Sequence, residues 1–128
     1  MEKEFLPYDE SLALKELGFD EPCIRGWDKN GKIWYHPDSD IVLDNLTFSQ
    51  AFRWFKEKYK LMSCITPCSD GEYIFTLYDL NKCDLEVFVE DIEIMESEDS
   101  YEFFEEAEIE CLKKLIEIVK LSHKTATI

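Results

Sequence analysis

The stretch from Thr47 to Tyr59 constrains the fold more than any other part of the sequence. Thr47 and Gln50 stand at capping-box spacing, where a hydroxyl and an amide satisfy each other's backbone donors, and Leu46 with Ala51 can form a hydrophobic staple. A helix is therefore expected to begin at Thr47. Phe48, Ala51, Phe52, Phe55 and Tyr59 fall in one stripe at helical spacing, with Gln50, Arg53, Glu57 and Lys60 opposite. Trp54, about 60° beyond Ala51 on the helical wheel, is expected at the margin and partly exposed. A helix apolar along one stripe has to lie on a second layer.

Strand patterns on either side supply that layer. Cys23–Trp27 and Ile33–Tyr35 flank Asp28-Lys29-Asn30-Gly31, a hairpin signal because Asn and Gly tolerate positive φ. Two registers fit. A two-residue Asn30-Gly31 turn sets Trp27 opposite Trp34, whereas a type I turn with Gly31 as a bulge shifts the pairing by one; either way aromatics are expected to meet across the hairpin. His36-Pro37-Asp38-Ser39-Asp40 ends it, and Ile41–Leu43 is an apolar patch without an assigned element. Leu61–Thr66 and Glu72–Asp79 alternate around Pro67-Cys68-Ser69-Asp70-Gly71 as a second hairpin. Tyr73, Phe75 and Leu77 take one face of its second strand and Ile74, Thr76 and Tyr78 the other, so that strand is expected to be central. Leu85–Glu90 reads as a further strand, continuing or turning into Ile92–Met95.

Two more helices frame the chain. One is expected from about Pro7 to Leu17, stopped by Gly18, with Phe19 placed to touch Leu14 in a Schellman ending. The other is expected from about Tyr101 to Leu121, with Asp99 and Glu102 at capping-box spacing and Ile109, Leu112, Leu115, Ile116 and Val119 as its stripe. Residues from about Ser122 are expected to fray. The expected architecture is α+β, in the order α-β-β-α-β-β-β-α. Its antiparallel sheet has about four to five strands, and the helices pack mainly on one face.

The 128 residues fit a single domain, and 45% hydrophobic residues are too many for a disordered acidic chain. No apolar run approaches the roughly 20 residues that span a bilayer, so no membrane association is expected. Cys23, Cys64, Cys68, Cys83 and Cys111 form an odd set without a disulfide framework, which points to reduced thiols and a cytoplasmic location. A net charge of −15 opposes direct nucleic-acid binding, which needs clustered Lys and Arg.

Motifs that carry chemistry are missing. Cys64 and Cys68 with Cys83 or His36 lack the paired spacing of a zinc site, and neither His36 nor His123 has the context of a Cys–His nucleophile pair. Asp79, Asn81 and Glu90 match EF-hand positions, but Asp84 stands where the loop needs glycine. Phosphate-cradling glycine motifs are absent. No catalytic residues, metal or cofactor are expected.

The remaining signal is electrostatic. Thirteen Asp and Glu lie between Asp84 and Glu110 with no Lys or Arg among them, so almost the whole net charge is local. The helix dipole accounts for the carboxylates that open the last helix, and Glu90, Asp91, Glu93, Glu96, Glu98 and Asp99 are left less explained. These six are the candidate surface for a protein partner with a basic face. The bland reading makes them the solvated side of one strand and one helix start. An alternative function is a small-molecule binding protein or minor enzyme with an aromatic pocket of Trp27, Trp34, Tyr35, Trp54 and Tyr73. A third is a structural or accessory oligomeric module.

The segments Glu4–Tyr8, Leu14–Cys23, Gln50-Ala51-Phe52-Arg53-Trp54-Phe55-Lys56-Glu57-Lys58-Tyr59, Glu105–Ala107 and Cys111–Glu117 together resemble a family of small uncharacterised proteins. Its members are found in Bacteroides-type bacteria, their phages and their mobile elements. The resemblance implies a cytoplasmic protein of phage or mobile-element origin and brings no catalytic residues. The acidic stretch lies largely outside the matching segments.

Overall fold

The computed structural model describes residues 4–36, 40–82 and 92–126. The chain forms two compact units, Met1–Ala51 and Phe52–Ile128, and among the described residues each holds a three-stranded antiparallel sheet. The α+β class is as expected; the single sheet of four to five strands is not.

In the first unit, Pro7 precedes helix α1 (Tyr8–Glu16), where its fixed φ suits the first turn and its missing N–H is no loss. The helix ends as a Schellman motif. Gly18 has φ +105, its N–H donates to the Lys15 carbonyl at 3.0 Å and the Phe19 N–H donates to the Leu14 carbonyl at 2.9 Å, with both apolar side chains buried.

Strands β1 (Arg25–Trp27), β2 (Ile33–Tyr35) and β3 (Leu43–Asn45) take the spatial order β2-β1-β3. The Gly31 N–H donates to the Asp28 carbonyl at 3.1 Å and the Asp28 N–H to the Lys32 carbonyl at 2.9 Å, with Gly31 at φ +82. This is a type I turn with a glycine bulge after it, and it decides the register. Trp27 pairs with Ile33, Gly26 with Trp34 and Arg25 with Tyr35, so the aromatics expected to meet across the hairpin do not. Trp27 instead meets Tyr8 edge-on, with centroids 5.1 Å apart.

Strand β3 has no local signature in the sequence, and two features explain it. A Cβ on Gly26 would stand 2.5 Å from both Ile41 Cγ2 and the Leu43 carbonyl oxygen, so glycine permits β3 to approach. Asn45 then anchors the strand: its amide donates to the Leu6 carbonyl (2.8 Å) and Ser11 Oγ (3.2 Å), and its oxygen accepts from Arg25 Nε (2.8 Å).

Helix α2 (Phe48–Tyr59) opens with the expected capping box: the Gln50 N–H donates to Thr47 Oγ1 at 3.1 Å and the Thr47 N–H to Gln50 Oε1 at 3.0 Å. Phe48, Ala51 and Phe55 are buried as expected, but Trp54 is 5% exposed rather than marginal. Its ring lies edge-on to Phe55 and Tyr59, and the Lys58 ammonium stands 5.1 Å from its centroid.

The second unit pairs β4 (Leu61–Pro67) with β5 (Tyr73–Asp79) along their whole length and places β6 (Glu93–Glu96) on the other side of β5. The central position of β5 is as its doubly apolar alternation demanded. The turn between β4 and β5 repeats the construction of the first hairpin, with Gly71 at φ +87 and the Cys68 N–H donating to the Glu72 carbonyl at 2.7 Å. Helix α3 (Phe104–Ala126) covers β4 and β5, and Ala107, Cys111, Leu112, Leu115, Ile116 and Val119 are its buried stripe.

Two boundaries of this helix differ from expectation. It starts after Tyr101 because that residue is held in a bridge to Tyr73, with reciprocal N–H to carbonyl bonds of 2.8 Å. It also continues to Ala126 instead of fraying from Ser122. The strand expected over Leu85–Glu90 lies outside the described residues.

Candidate functional site

The second unit carries the described part of the acidic candidate surface. Strand β6 borders the sheet beside β5, with Glu96 opposite Thr76, Met95 opposite Leu77 and Glu93 opposite Tyr78. The register shifts between Leu77 and Tyr78, so Ile94 is an extra residue and β6 carries a bulge. The shift matters for charge. In a regular strand residues three apart point to opposite faces, but here Glu93 and Glu96 pair with Tyr78 and Thr76, two residues apart on β5, and so share a face. Ile94 is left 41% exposed between them.

Ser97 fixes the turn beyond β6. Its backbone N–H donates to the Phe75 carbonyl (2.8 Å), while its hydroxyl accepts from the Phe75 N–H (3.2 Å) and donates to the Asp99 carbonyl (2.9 Å). The chain is thereby held to β5 at Ser97 and turned outward at Glu98 and Asp99, both exposed. Ser100 Oγ donates to Glu72 Oε1 at 2.6 Å, and the Tyr101 bridge closes the turn.

A cleft of about 270 Å³ opens between this turn and α3. Phe75, Met95 and Tyr101 contribute its apolar lining, and Glu98, Asp99, Glu110 and Glu117 outnumber Lys113 and Lys114 around it. Both lysines already face carboxylates of their own helix, at 3.5 Å for Glu110 and 3.4 Å for Glu117. Burial pushes the Tyr101 phenol above its ordinary range, with Glu110 and Asp99 adding to the effect, so its hydroxyl stays protonated. Burial likewise raises the Glu108 carboxyl, assisted by Glu105.

Glu93, Glu96, Glu98 and Asp99 are thus exposed, and none enters an ion pair among the described residues. Glu90 and Asp91 lie outside the described residues.

The five aromatics of the alternative pocket fall into separate settings. In the first unit, Trp27 packs on Tyr8, Trp34 Nε1 donates to Asp28 Oδ2 at 2.8 Å, and Tyr35 is 61% exposed. In the second, Trp54 packs on Phe55 and Tyr59, and Tyr73 meets Phe104 edge-on at 5.6 Å. Each of these ring contacts is made to a residue outside the five.

The cysteines divide by exposure. Cys23 and Cys111 are buried, and burial pushes both thiols up to about 12. Cys64 is exposed and Cys68 half-buried, both free thiols, while Cys83 lies outside the described residues. Among the described residues no group of His, Cys, Asp and Glu is placed to hold a metal, and no helix is long and apolar enough to cross a membrane. One pair has no counterpart in the sequence patterns: His36 Nε2 stands 2.7 Å from Asp44 Oδ1. The two are eight residues apart and meet only because β3 forms, so nothing local announces the contact.

Comparison of the chain with family models, with curated proteins and with solved structures finds no match.

Proposed function

We propose that the protein is a small non-enzymatic interaction module that docks a basic protein surface through β6 and the turn after it. The observation that carries this reading is the set Glu93, Glu96, Glu98 and Asp99: close in the chain, exposed and without an ion pair among the described residues. Two carboxylates about 7 Å apart repel by roughly 0.6 kcal/mol even in water. Cations of a partner would turn that repulsion into attraction. Ile94, exposed on the bulge between two of the carboxylates, offers an apolar contact inside a charged rim, the usual composition of an interface. A cytoplasmic setting and a phage or mobile-element origin belong to the same proposal.

The test is capture of partners by the tagged protein and by a variant with Glu93, Glu96, Glu98 and Asp99 replaced by Lys. Partners that bind the parent in low salt should be lost by the variant. An unchanged set of partners on a folded variant overturns the reading.

A further inference from the structure

The sheet edges of the molecule are not treated alike. An edge strand invites pairing with another chain, and folded proteins blunt it by keeping it short, charging it or bulging it. Strands β2 and β3, at the edges of the first sheet, are three residues each. Strand β6, at one edge of the second, is bulged and carries exposed Glu93 and Glu96. Strand β4, at its other edge, has seven residues in regular pairing with β5 and no charge, in a chain that is 34% charged. Its one edge-blunting residue, Pro67, stands at the very end.

The hydrogen-bond phase of β4 fixes what that edge offers. The Cys68 N–H donates to the Glu72 carbonyl at 2.7 Å and the Leu80 N–H to the Lys60 carbonyl at 2.8 Å. Even-numbered residues of β4 therefore turn their backbone groups to β5, and Leu61, Ser63 and Ile65 turn theirs outward. Among the described residues nothing pairs with that outer edge. Side chains alternate the other way. Ser63 reaches the Cys111 thiol of α3, so Met62, Cys64 and Thr66 stand on the opposite face, and all three are exposed.

We infer that two copies of the chain join through this edge, their β4 strands antiparallel about a twofold axis at Cys64. Cys64 is the middle residue of β4, so this register overlaps the whole strand. Ser63 of each copy then exchanges both backbone bonds with Ile65 of the other, and the Leu61 N–H meets the Pro67 carbonyl. Met62 lies beside Thr66 and Cys64 beside its own counterpart. No charged residue of β4 meets another, which is what a second copy of a chain of net charge −15 requires.

Sedimentation equilibrium of the reduced, full-length protein should show a monomer–dimer equilibrium with a Kd on the order of 10 μM. Added NaCl should tighten it by screening the repulsion between copies, the opposite of its effect on a basic partner. The variant with Glu93, Glu96, Glu98 and Asp99 replaced by Lys should still dimerise, so this inference and the acidic-face proposal fail separately. Met62→Lys with Thr66→Lys sets like charges opposite each other and should weaken the dimer about tenfold, whereas Met62→Lys with Thr66→Glu should keep it. Diamide, which takes up two thiol hydrogens with their electrons and becomes its hydrazine, should link Cys64 to Cys64 of the second copy. The Cα atoms of such a non-hydrogen-bonded pair stand about 4.5 Å apart, within disulfide range. A protein that stays monomeric at concentrations on the order of 500 μM, even one that accepts an extended peptide of another protein on this edge, overturns the inference. Equal association of the two double variants, or an oxidised link between other cysteines, also overturns it.

Discussion

Asn45 ties three segments of the first unit together with one fully buried side chain. Its removal leaves the buried Arg25 Nε–H and the Leu6 carbonyl without this partner, and an unsatisfied buried group costs more than the bond itself contributed. Asn45→Ala should lower stability by about 2–4 kcal/mol, read as a drop in the urea midpoint at unchanged slope. A change under about 0.5 kcal/mol, the level of an ordinary surface substitution, would refute the anchoring role. The cysteines give a second prediction at this scale. Thiols held near 12 by burial carry almost no thiolate at pH 8, so Cys23 and Cys111 should alkylate on the order of a thousandfold more slowly than an ordinary thiol. Exposed Cys64 should react at once in the folded protein, with mass spectrometry of timed iodoacetamide digests as the readout.

The elements legible in the sequence are those whose determinants lie within a few residues. Gly18 stops α1, Thr47 and Gln50 start α2, and the two hairpins turn where Asp28–Gly31 and Pro67–Gly71 place them, although the glycine bulge that fixes the first register is one of two turns that the sequence allows. Non-local determinants stay hidden. Strand β3 exists because Gly26 admits it and Asn45 holds it; the β6 bulge shows only in its pairing with β5; α3 starts late because Tyr101 is drawn into the ladder with Tyr73. The candidate site inherits this division, since its carboxylates are visible in the sequence while the face shared by Glu93 and Glu96 depends on the bulge. The first hairpin offers a pH test. Asp28 accepts bonds from Trp34 Nε1 and from the N–H groups of Lys32 and Asn30, and the Trp34 bond, then that of Lys32, holds its carboxyl below the usual 3.8. A folded-state value below the unfolded one means that the contribution is present above pH 3.8 and is lost as pH falls through the lowered value. The Trp34 indole N–H resonance should therefore titrate with a midpoint below 3.8, and Asp28→Asn should abolish the transition. A midpoint at or above 3.8 would contradict the bonded geometry.

At the scale of the whole molecule, a net charge of −15 that sits largely in one stretch makes salt act in two opposing directions. Repulsion among Glu93, Glu96, Glu98 and Asp99 is a cost of the free protein, and it is screened once the Debye length falls from about 30 Å at 0.01 M to about 8 Å at 0.15 M. Raising NaCl over that range should stabilise the isolated protein, by an amount on the order of 0.5–1 kcal/mol for a cluster of this size. The same screening weakens attraction to a basic partner, so affinity should fall over the range in which stability rises. Replacing the four carboxylates by Gln and Asn separates the interface reading from the bland one. If the four are only solvated and well spaced, the variant keeps the salt slope of the parent's thermal midpoint. If they act as one charged surface, the slope flattens and the salt-sensitive part of partner binding disappears with it. The coincidence of the two losses is the decisive measurement, because a surface that merely confers solubility would give at most the first.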